Sequence, residues 1–340
     1  MKNNSKYNFP DFEIKSISKL LSTPKKICIV THVNPDGDAI GSSLALSNIL
    51  LKMNHTVSVI TPNKMMGFLE WMKGANDIIS FTNQGEFGVL AIQEAEIIFC
   101  LDFNDPSRIE DVSEYVLANK TAIRILIDHH INPKDFCQFT FSFPDACATA
   151  ELTFYFIENI GLSHLTDSSI AESLYCGIMT DSGNFRFNSV SPELHEIVAE
   201  LIRQGVNQNR VYELVYDSNS INALKLHGFI MLKKLEYLED YKAVIITLND
   251  KEQRRFRVGK TEIDDVVNIG LKIEGVRISA FFYENEGKVR VSFRSKGDLS
   301  VKDIASKYFN GGGHINAAGG ISPKSIKNTV IEFKRILEAV

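Results

Sequence analysis

Four short apolar runs, separated by sequence with helical periodicity, constrain this chain more than any other feature. Ile27 to Val30, Thr56 to Ile60, Glu96 to Leu101 and Ile123 to Leu126 are rich in β-branched residues and bounded by turn signals, so each is predicted to be a strand. From Ala39 the apolar positions Ile40, Leu44, Leu46 and Ile49 begin a helix. Asp11 to Leu21, Leu152 to Asn159, Ile170 to Thr180 and Pro192 to Arg203 follow the same helical pattern, the last opened by Ser191-Pro192-Glu193 and closed by Gly205. Strands alternating with helices build βαβ units, so the expected fold class is α/β with a doubly wound, mainly parallel sheet.

In such a sheet the carboxyl ends of the strands lie side by side, which is where open α/β folds bind ligands. The first strand runs into THVNPDGDAIGS, with His32, Asp36 and Asp38; the third ends on Asp102; the fourth delivers Asp128, His129 and His130. A helix end at TDSG adds Asp181. Any one of these has an ordinary explanation as a helix cap, an Asx turn or a structural histidine. Together they are expected to converge on one crevice. Two carboxylates about 4 Å apart repel by roughly 4 kcal/mol at an effective dielectric near 20, so such a crevice requires a proton or a cation.

The chain has 340 residues, 44% hydrophobic and 23% charged, which favours two domains over one. We assign residues 1–206 to the first, 207–222 to a polar connection containing Asp217-Ser218-Asn219-Ser220, and 223–340 to a smaller mixed α+β domain. In that domain a helix is expected over Leu224 to Leu238, and strands over Ala243 to Leu248, Arg277 to Tyr283 and Lys288 to Phe293. A formal net charge of −5 disfavours a broad basic face for long nucleic acid but leaves room for a local basic pocket. The polar amino terminus and the absence of any run near 18 apolar residues predict a soluble, cytoplasmic protein with no membrane partner. Cys28, Cys100, Cys137, Cys147 and Cys176 form no CxxC pair, so reduced and mostly buried thiols are expected.

A second candidate site closes the chain. After a helix at Val301 to Tyr308 comes FNGGGHINAAGG, in which Gly311, Gly312 and Gly313 allow close backbone approach to a ligand. With a helix expected near Asn316 the loop would cradle an anion, His314 follows directly, and Arg294 offers a phosphate-directed fork.

THVNPDGDAIGS, Asp102 after a strand, Asp128-His129-His130, TDSG at Asp181 and GGGHINAAG, in this order across almost the whole chain, resemble the DHH phosphoesterase family in its subgroup with a DHHA1 domain. The resemblance implies two divalent metal ions, usually manganese. His32 and Asp36 would bind one, Asp38, His129 and Asp181 the other, and Asp102 would bridge them. It further implies catalytic roles for Asp38, Asp102, His129 and His130, with His130 facing the substrate phosphate and Asp128 orienting the histidines. Arg294, Gly311, Gly312, Gly313 and His314 would hold the phosphate or terminal nucleotide from across a cleft between the domains. Aspartates and histidines are hard, mixed O/N donors suited to manganese or magnesium, and imidazole tilts the choice from magnesium.

Such a site suits attack on phosphorus by hydroxide activated between two metals, without a covalent nucleophile. In length and in lacking further modules the chain resembles stand-alone members that hydrolyse short oligoribonucleotides (nanoRNA) to mononucleotides and dephosphorylate 3'-phosphoadenosine 5'-phosphate to AMP. The alternative is a phosphodiesterase for pApA or cyclic di-AMP. Inorganic pyrophosphatase is disfavoured by the GGGH loop and Arg294, a turnover-free regulatory module by the intact ligand set, and an exonuclease for long strands by the lack of extra domains and positive charge. The expected partners are therefore short single-stranded RNA and small nucleotides, not long duplexes. The helix-rich faces of the first domain permit a homodimer. Phe103, Phe185 and Phe187 are candidate base-stacking residues, and Arg108 and Arg186 candidate phosphate contacts; core packing and surface ion pairs are the ordinary alternatives.

Overall fold

The computed structural model describes residues 6–259, 262–263, 266–285 and 287–338, with the side chain of His314 outside that description. The chain divides into two compact units, Met1–Ser218 and Asn219–Val340.

In the first unit, strands β1 (Lys26–Thr31), β2 (Thr56–Thr61), β3 (Ile79–Ser80), β4 (Ile97–Leu101), β5 (Ile123–Asp128) and β6 (Phe139–Ser142) form one sheet in the order β3-β2-β1-β4-β5-β6, every pairing parallel. The order reverses between β1 and β4, so the crevice expected of a doubly wound sheet opens beyond Thr31 and Leu101. The four strands expected from the sequence are present. β3 and β6 were not anticipated: two and four residues carry too little pattern to separate from loop.

Both faces of the sheet are covered. Ile27 and Ile29 point into a core with Ile40, Leu44, Phe99, Phe141, Phe156, Leu174 and Ile178, while the alternate residues Cys28 and Val30 join Ile98, Cys100, Phe103, Ile109 and Val116 on the other side. Each such side chain contributes roughly 1.5–3 kcal/mol on burial. The helices are α1 (Asp11–Leu20), α2 (Gly37–Lys52), α3 (Phe81–Glu94), α4 (Val112–Ala118), α5 (Thr149–Asn159), α6 (Ser168–Asp181), α7 (Pro192–Arg203) and α8 (Gln208–Tyr216). Helix α8 falls inside the stretch read as a polar connection. Its Val211 and Val215, one turn apart, are buried in the first unit's core, a signal the surrounding polar residues conceal.

Helix α2 is buried from Gly37 to Leu50 and lies against α5 and α6. Its contact with α6 depends on missing side chains. A Cβ on Gly177 would lie 2.6 Å from the Ala150 Cβ and 3.0 Å from Asp38 Oδ1, and one on Gly41 would collide with the Ser173 carbonyl. The backbones therefore approach closely enough to bring the start of α2 to the end of α6.

The second unit carries the mixed sheet β11-β12-β10-β9-β8-β7, made of β7 (Leu235–Leu238), β8 (Ala243–Leu248), β9 (Ile278–Asn285), β10 (Lys288–Ser295), β11 (Gly312–His314) and β12 (Ala317–Ser322). Only β8 and β9 pair in parallel among these described strands. Helices α9 (Ile221–Lys233), α10 (Asp250–Phe256), α11 (Val266–Gly270), α12 (Val301–Tyr308) and α13 (Ile326–Leu337) accompany it.

Two expectations are corrected here. The helix assigned to Leu224 to Leu238 ends at Lys233, and Leu235–Leu238 pairs with β8 instead. No helix begins near Asn316. Ala317–Ser322 is a strand, and Gly312, Gly313 and His314 pair with Gly319, Ala318 and Ala317. Gly313 has φ +139, and a Cβ there would crowd the backbone of Ala317 and Ala318, so the glycines serve strand-to-strand approach.

All five cysteines are free thiols, and those other than Cys137 are buried. No helix among the described residues is long and apolar enough to cross a membrane.

Candidate metal centre

The loop after β1 sets three of the candidate ligands. Asp36 is the N-cap of α2, its Oδ1 accepting the N–H groups of Asp38 and Ala39 at 3.0 and 3.1 Å. The loop is tied to the one after β2 by a reciprocal pair: Asn34 N–H donates to Asn63 Oδ1 at 2.6 Å, and Asn63 Nδ2 donates to Asn34 Oδ1 at 3.1 Å. His32 Nδ1 lies 2.8 Å from the Val33 carbonyl, so Nδ1 carries the proton and Nε2 is directed at carboxylates: Asp102 Oδ2 at 3.3 Å and Asp36 Oδ1 at 4.0 Å.

Asp102 follows β4 with φ +65, a left-handed conformation that costs a side-chain-bearing residue of order 1–3 kcal/mol. That turn places its carboxylate between the two histidines. His129 Nε2 is 3.4 Å from Asp102 Oδ1 and 3.4 Å from Asp181 Oδ2, while its Nδ1 faces the Ala146 carbonyl at 3.3 Å. Both histidines thus have Nδ1 anchored on backbone and Nε2 turned to the acids.

Asp38 is buried, and both its oxygens are taken by the start of α5. Thr149 N–H donates to Oδ2 at 2.6 Å and Ala150 N–H to Oδ1 at 2.8 Å, while the Thr149 hydroxyl donates to Asp102 Oδ1 at 3.0 Å. A carboxylate at a helix N-terminus is stabilised by the orphan N–H groups and the dipole together. Asp128, 0% exposed, accepts from His130: the backbone N–H at 3.1 Å and Nδ1–H at 2.7 Å. The rings of His129 and His130 meet edge to face at 4.7 Å.

These atoms fall into three groups whose ligand atoms all lie within 4.8 Å of one another: His32, Asp36 and Asp102; Asp38, His129 and Asp181; and Asp102, His129 and His130. The structure therefore brings together every residue the sequence placed at the strand ends. Burial and mutual repulsion from Asp102 and Asp181 push Asp38 far above the usual carboxylate range, and burial raises Asp181 to about 7 despite nearby His129. Burial alone would lower His32, but its hydrogen bond to Asp102 and the charges of Asp102 and Asp36 outweigh this and raise it to about 9. Asp102 is held low against the effect of burial by His129 and His32. The cluster draws in positive charge, and its oxygen and imidazole donors fit hard divalent cations.

Thr149 was not anticipated, because the sequence reading begins α5 three residues later. The available signal was the small-residue run ACATA before the apolar helix. Phe103 is fully buried and Phe185 packs against the core, so neither is an open stacking surface; Phe187 is half exposed. In the second unit, Arg294 sits on β10 opposite Ser279 and Ala317, with Nη1 donating to the Phe293 carbonyl at 3.0 Å.

Residues 26–178 match the DHH family, N-terminal domain, and residues 240–340 the DHHA1 domain. A Thermus thermophilus protein named bifunctional oligoribonuclease and PAP phosphatase is 30% identical, across 92% of this chain and 89% of its own. The chain belongs to the DHH family. A second relative of the same name, from Bacillus subtilis, is 28% identical across 88% of this chain and 90% of its own. Among solved structures, an exopolyphosphatase-related protein from Bacteroides fragilis superposes with a TM-score of 0.95 at 38% identity, covering 97% of this chain and 96% of that one. This DHH-family chain is thus a hydrolase of phosphoric esters, with buried acidic and histidine groups able to bind metal.

Proposed function

We propose that the chain is a manganese-dependent phosphoesterase that hydrolyses short oligoribonucleotides to mononucleotides and removes the 3'-phosphate of 3'-phosphoadenosine 5'-phosphate. The observation that carries this is Asp102, whose two oxygens face His32 on one side and His129 on the other, joining two ligand groups into one centre. His32, Asp36 and Asp102 would hold one divalent ion, and Asp38, His129 and Asp181 the other, with Asp102 shared.

Divalent ions in these positions supply Lewis acidity toward phosphoryl oxygens and lower the pKa of water. The chain's own groups do the rest. The two Nδ1–carbonyl contacts hold His32 and His129 in the tautomer that presents Nε2. Asp128 fixes the His130 imidazole by accepting Nδ1–H, which orients the ring to deliver or hold a proton on the substrate phosphate or leaving group. Arg294, with the backbone at Gly311 to Gly313 and His314, is assigned to substrate phosphate, a charge-assisted contact that supports binding and charge neutralisation. The relatives' names, oligoribonuclease and PAP phosphatase, support the choice of substrates.

The test is turnover with manganese of ribonucleotide dimers to pentamers, 3'-phosphoadenosine 5'-phosphate, pApA, cyclic di-AMP and pyrophosphate, with an EDTA control. Hydrolysis of the short oligomers and of the 3'-phosphate is expected. Turnover of pApA or cyclic di-AMP alone would replace the substrate assignment and leave the metal chemistry standing.

A further inference from the structure

Beyond Asp181 the chain folds in a way no helix end requires. Gly183, Asn184 and Phe185 have φ values of +59, +60 and +61, three left-handed residues in succession. Glycine and asparagine accept this region readily; phenylalanine does so at a cost of about 1–2 kcal/mol. The turn is held by buried Ser182, whose Oγ accepts the Phe185 N–H at 2.9 Å and whose carbonyl accepts those of Arg186 and Phe187 at 3.0 and 3.1 Å, and by the Met179 carbonyl, which accepts from Asn184 at 2.8 Å.

The outcome is a division of two aromatic rings. Phe185 turns inward against Tyr175 and His195, with ring centroids 6.1 and 5.7 Å away. Phe187 turns outward. Its ring lies on Gly183 so closely that a Cβ there would be 2.5 to 2.7 Å from three ring atoms, and the Arg186 guanidinium carbon is 5.5 Å from the ring centroid. With both neighbours in place, 50% of Phe187 is still exposed. Among the described residues the arginine ion pairs are those of Arg203, Arg210 and Arg277, and Arg186 is in none of them. A half-exposed aromatic ring seated on Gly183, with the Arg186 guanidinium over it, therefore rests on backbone two residues from Asp181, and Gly183 Cα is at most about 7 Å from Asp181 Cα.

We propose that Phe187, backed by Gly183 and flanked by Arg186, is the stacking surface for the nucleobase of the nucleotide whose phosphate is hydrolysed. The proposal rests on the phosphoesterase reading and adds a base requirement to it. Stacking is tolerant of base identity because every base has a π-face, and Arg adds a cation–π contribution and a contact for a negative ligand. Phe187 would therefore select nucleotides over bare phosphoesters without selecting among bases.

Two readouts test it. A dinucleotide carrying 2-aminopurine is titrated into the protein with calcium replacing manganese, and stacking is read as fluorescence quenching, for the wild type, Phe187→Leu and Phe187→Trp. In parallel, KM with manganese is compared for 3'-phosphoadenosine 5'-phosphate, pApA and ribose 3,5-bisphosphate, which lacks the base. The wild type and Phe187→Trp are expected to quench and to show KM for the base-bearing substrates at least about fivefold below that of the abasic one. In Phe187→Leu, which keeps apolar bulk over Gly183, quenching is lost and the KM ratio collapses toward one, with Tm retained. Preference for pApA alone would locate the stacked base on the second nucleotide and overturn the assignment. Equal quenching in Phe187→Leu, or a wild-type KM ratio of one, would also overturn it. Absence of turnover of any substrate by the wild type would remove the phosphoesterase reading instead, and the quenching series would still decide the stacking site.

Discussion

Thr149 serves Asp102 and Asp38 with different atoms: its hydroxyl donates to Asp102 Oδ1 at 3.0 Å and its backbone N–H to Asp38 Oδ2 at 2.6 Å. One residue at a helix start therefore orients carboxylates that come from two different strands' ends. Thr149→Val keeps shape and N–H but deletes the hydroxyl, leaving the Asp102 carboxylate held by His32 and His129 without its third partner. We expect manganese affinity to fall about 10-fold or more, as for other outer partners of metal ligands, with Tm of the metal-free protein changed little. Calorimetric titration with manganese checks this, and an unchanged affinity would show the hydroxyl to be structural only.

Asp102 is the shared carboxylate, so Asp102→Ala is expected to reduce metal-dependent hydrolysis to the no-enzyme level. Asp102→Asn, which tolerates the left-handed backbone, separates loss of charge from loss of conformation. Metal content by elemental analysis and turnover of a ribonucleotide dimer are the measurements. Substantial activity in both variants would sink the bridging assignment.

The pH dependence of stability has a defined sign. His32, raised from its usual 6.5 to about 9, stabilises the EDTA-treated protein fully below pH 6.5, and that contribution is lost as pH rises through 9. Asp181, raised from its usual 3.8 to about 7, contributes fully below pH 3.8, and that contribution is lost as pH climbs from there through 7. The Tm of the metal-free protein should therefore fall between roughly pH 4 and 9, first through Asp181 and then through His32, each pKa unit being worth about 1.4 kcal/mol. Manganese competes with these protons, so the Tm increase it produces should grow over the same interval. Thermal melts with and without manganese decide it; a metal-induced shift independent of pH contradicts the ligand set.

Gly177→Ala tests the helix contact. The added methyl would meet Ala150 Cβ at 2.6 Å and Asp38 Oδ1 at 3.0 Å, so α6 must move from α2 and α5. Overpacking of this kind costs typically 1–3 kcal/mol. Because the displaced elements carry Asp38 and Asp181, manganese affinity should fall along with the denaturation midpoint. A variant as stable as the wild type would show that the helices tolerate separation.

The sheet and the ligand cluster were legible because each candidate ligand follows a strongly apolar strand or a well-marked helix, and parallel topology forces such ends together. Asp102 and Asp128 are conspicuous after Ile98 to Leu101 and Ile125 to Ile127. What supports them was less visible. The Val33 and Ala146 carbonyls are main-chain atoms with no residue signature, and Thr149 looks like any polar residue ahead of a helix. In the second unit GGGHINAAGG reads equally as a loop before a helix or as a hairpin; pairing with β10, whose partner positions lie 23 to 33 residues earlier in the chain, selects the hairpin. Phe103 illustrates the remaining difficulty, since adjacency to Asp102 in sequence does not say which side of the sheet a ring enters.

The close approach of the start of α2 to the end of α6 has a consequence for biosynthesis. His32 and Asp181 are 149 positions apart, and the ribosome delivers chain amino-end first at roughly 5–20 residues per second. The nascent protein therefore carries its first histidine and aspartates for several seconds before the last ligand exists. Until α6 emerges and its glycine seats against α2, those acids lack their full set of neighbours, and the parallel strands beneath them are joined only by long-range contacts that close late. The ligand set is thus complete once α6 has emerged, while α7 and α8 have still to close the first unit's core, so metal loading would report, in a translating system, the seating of α6 against α2.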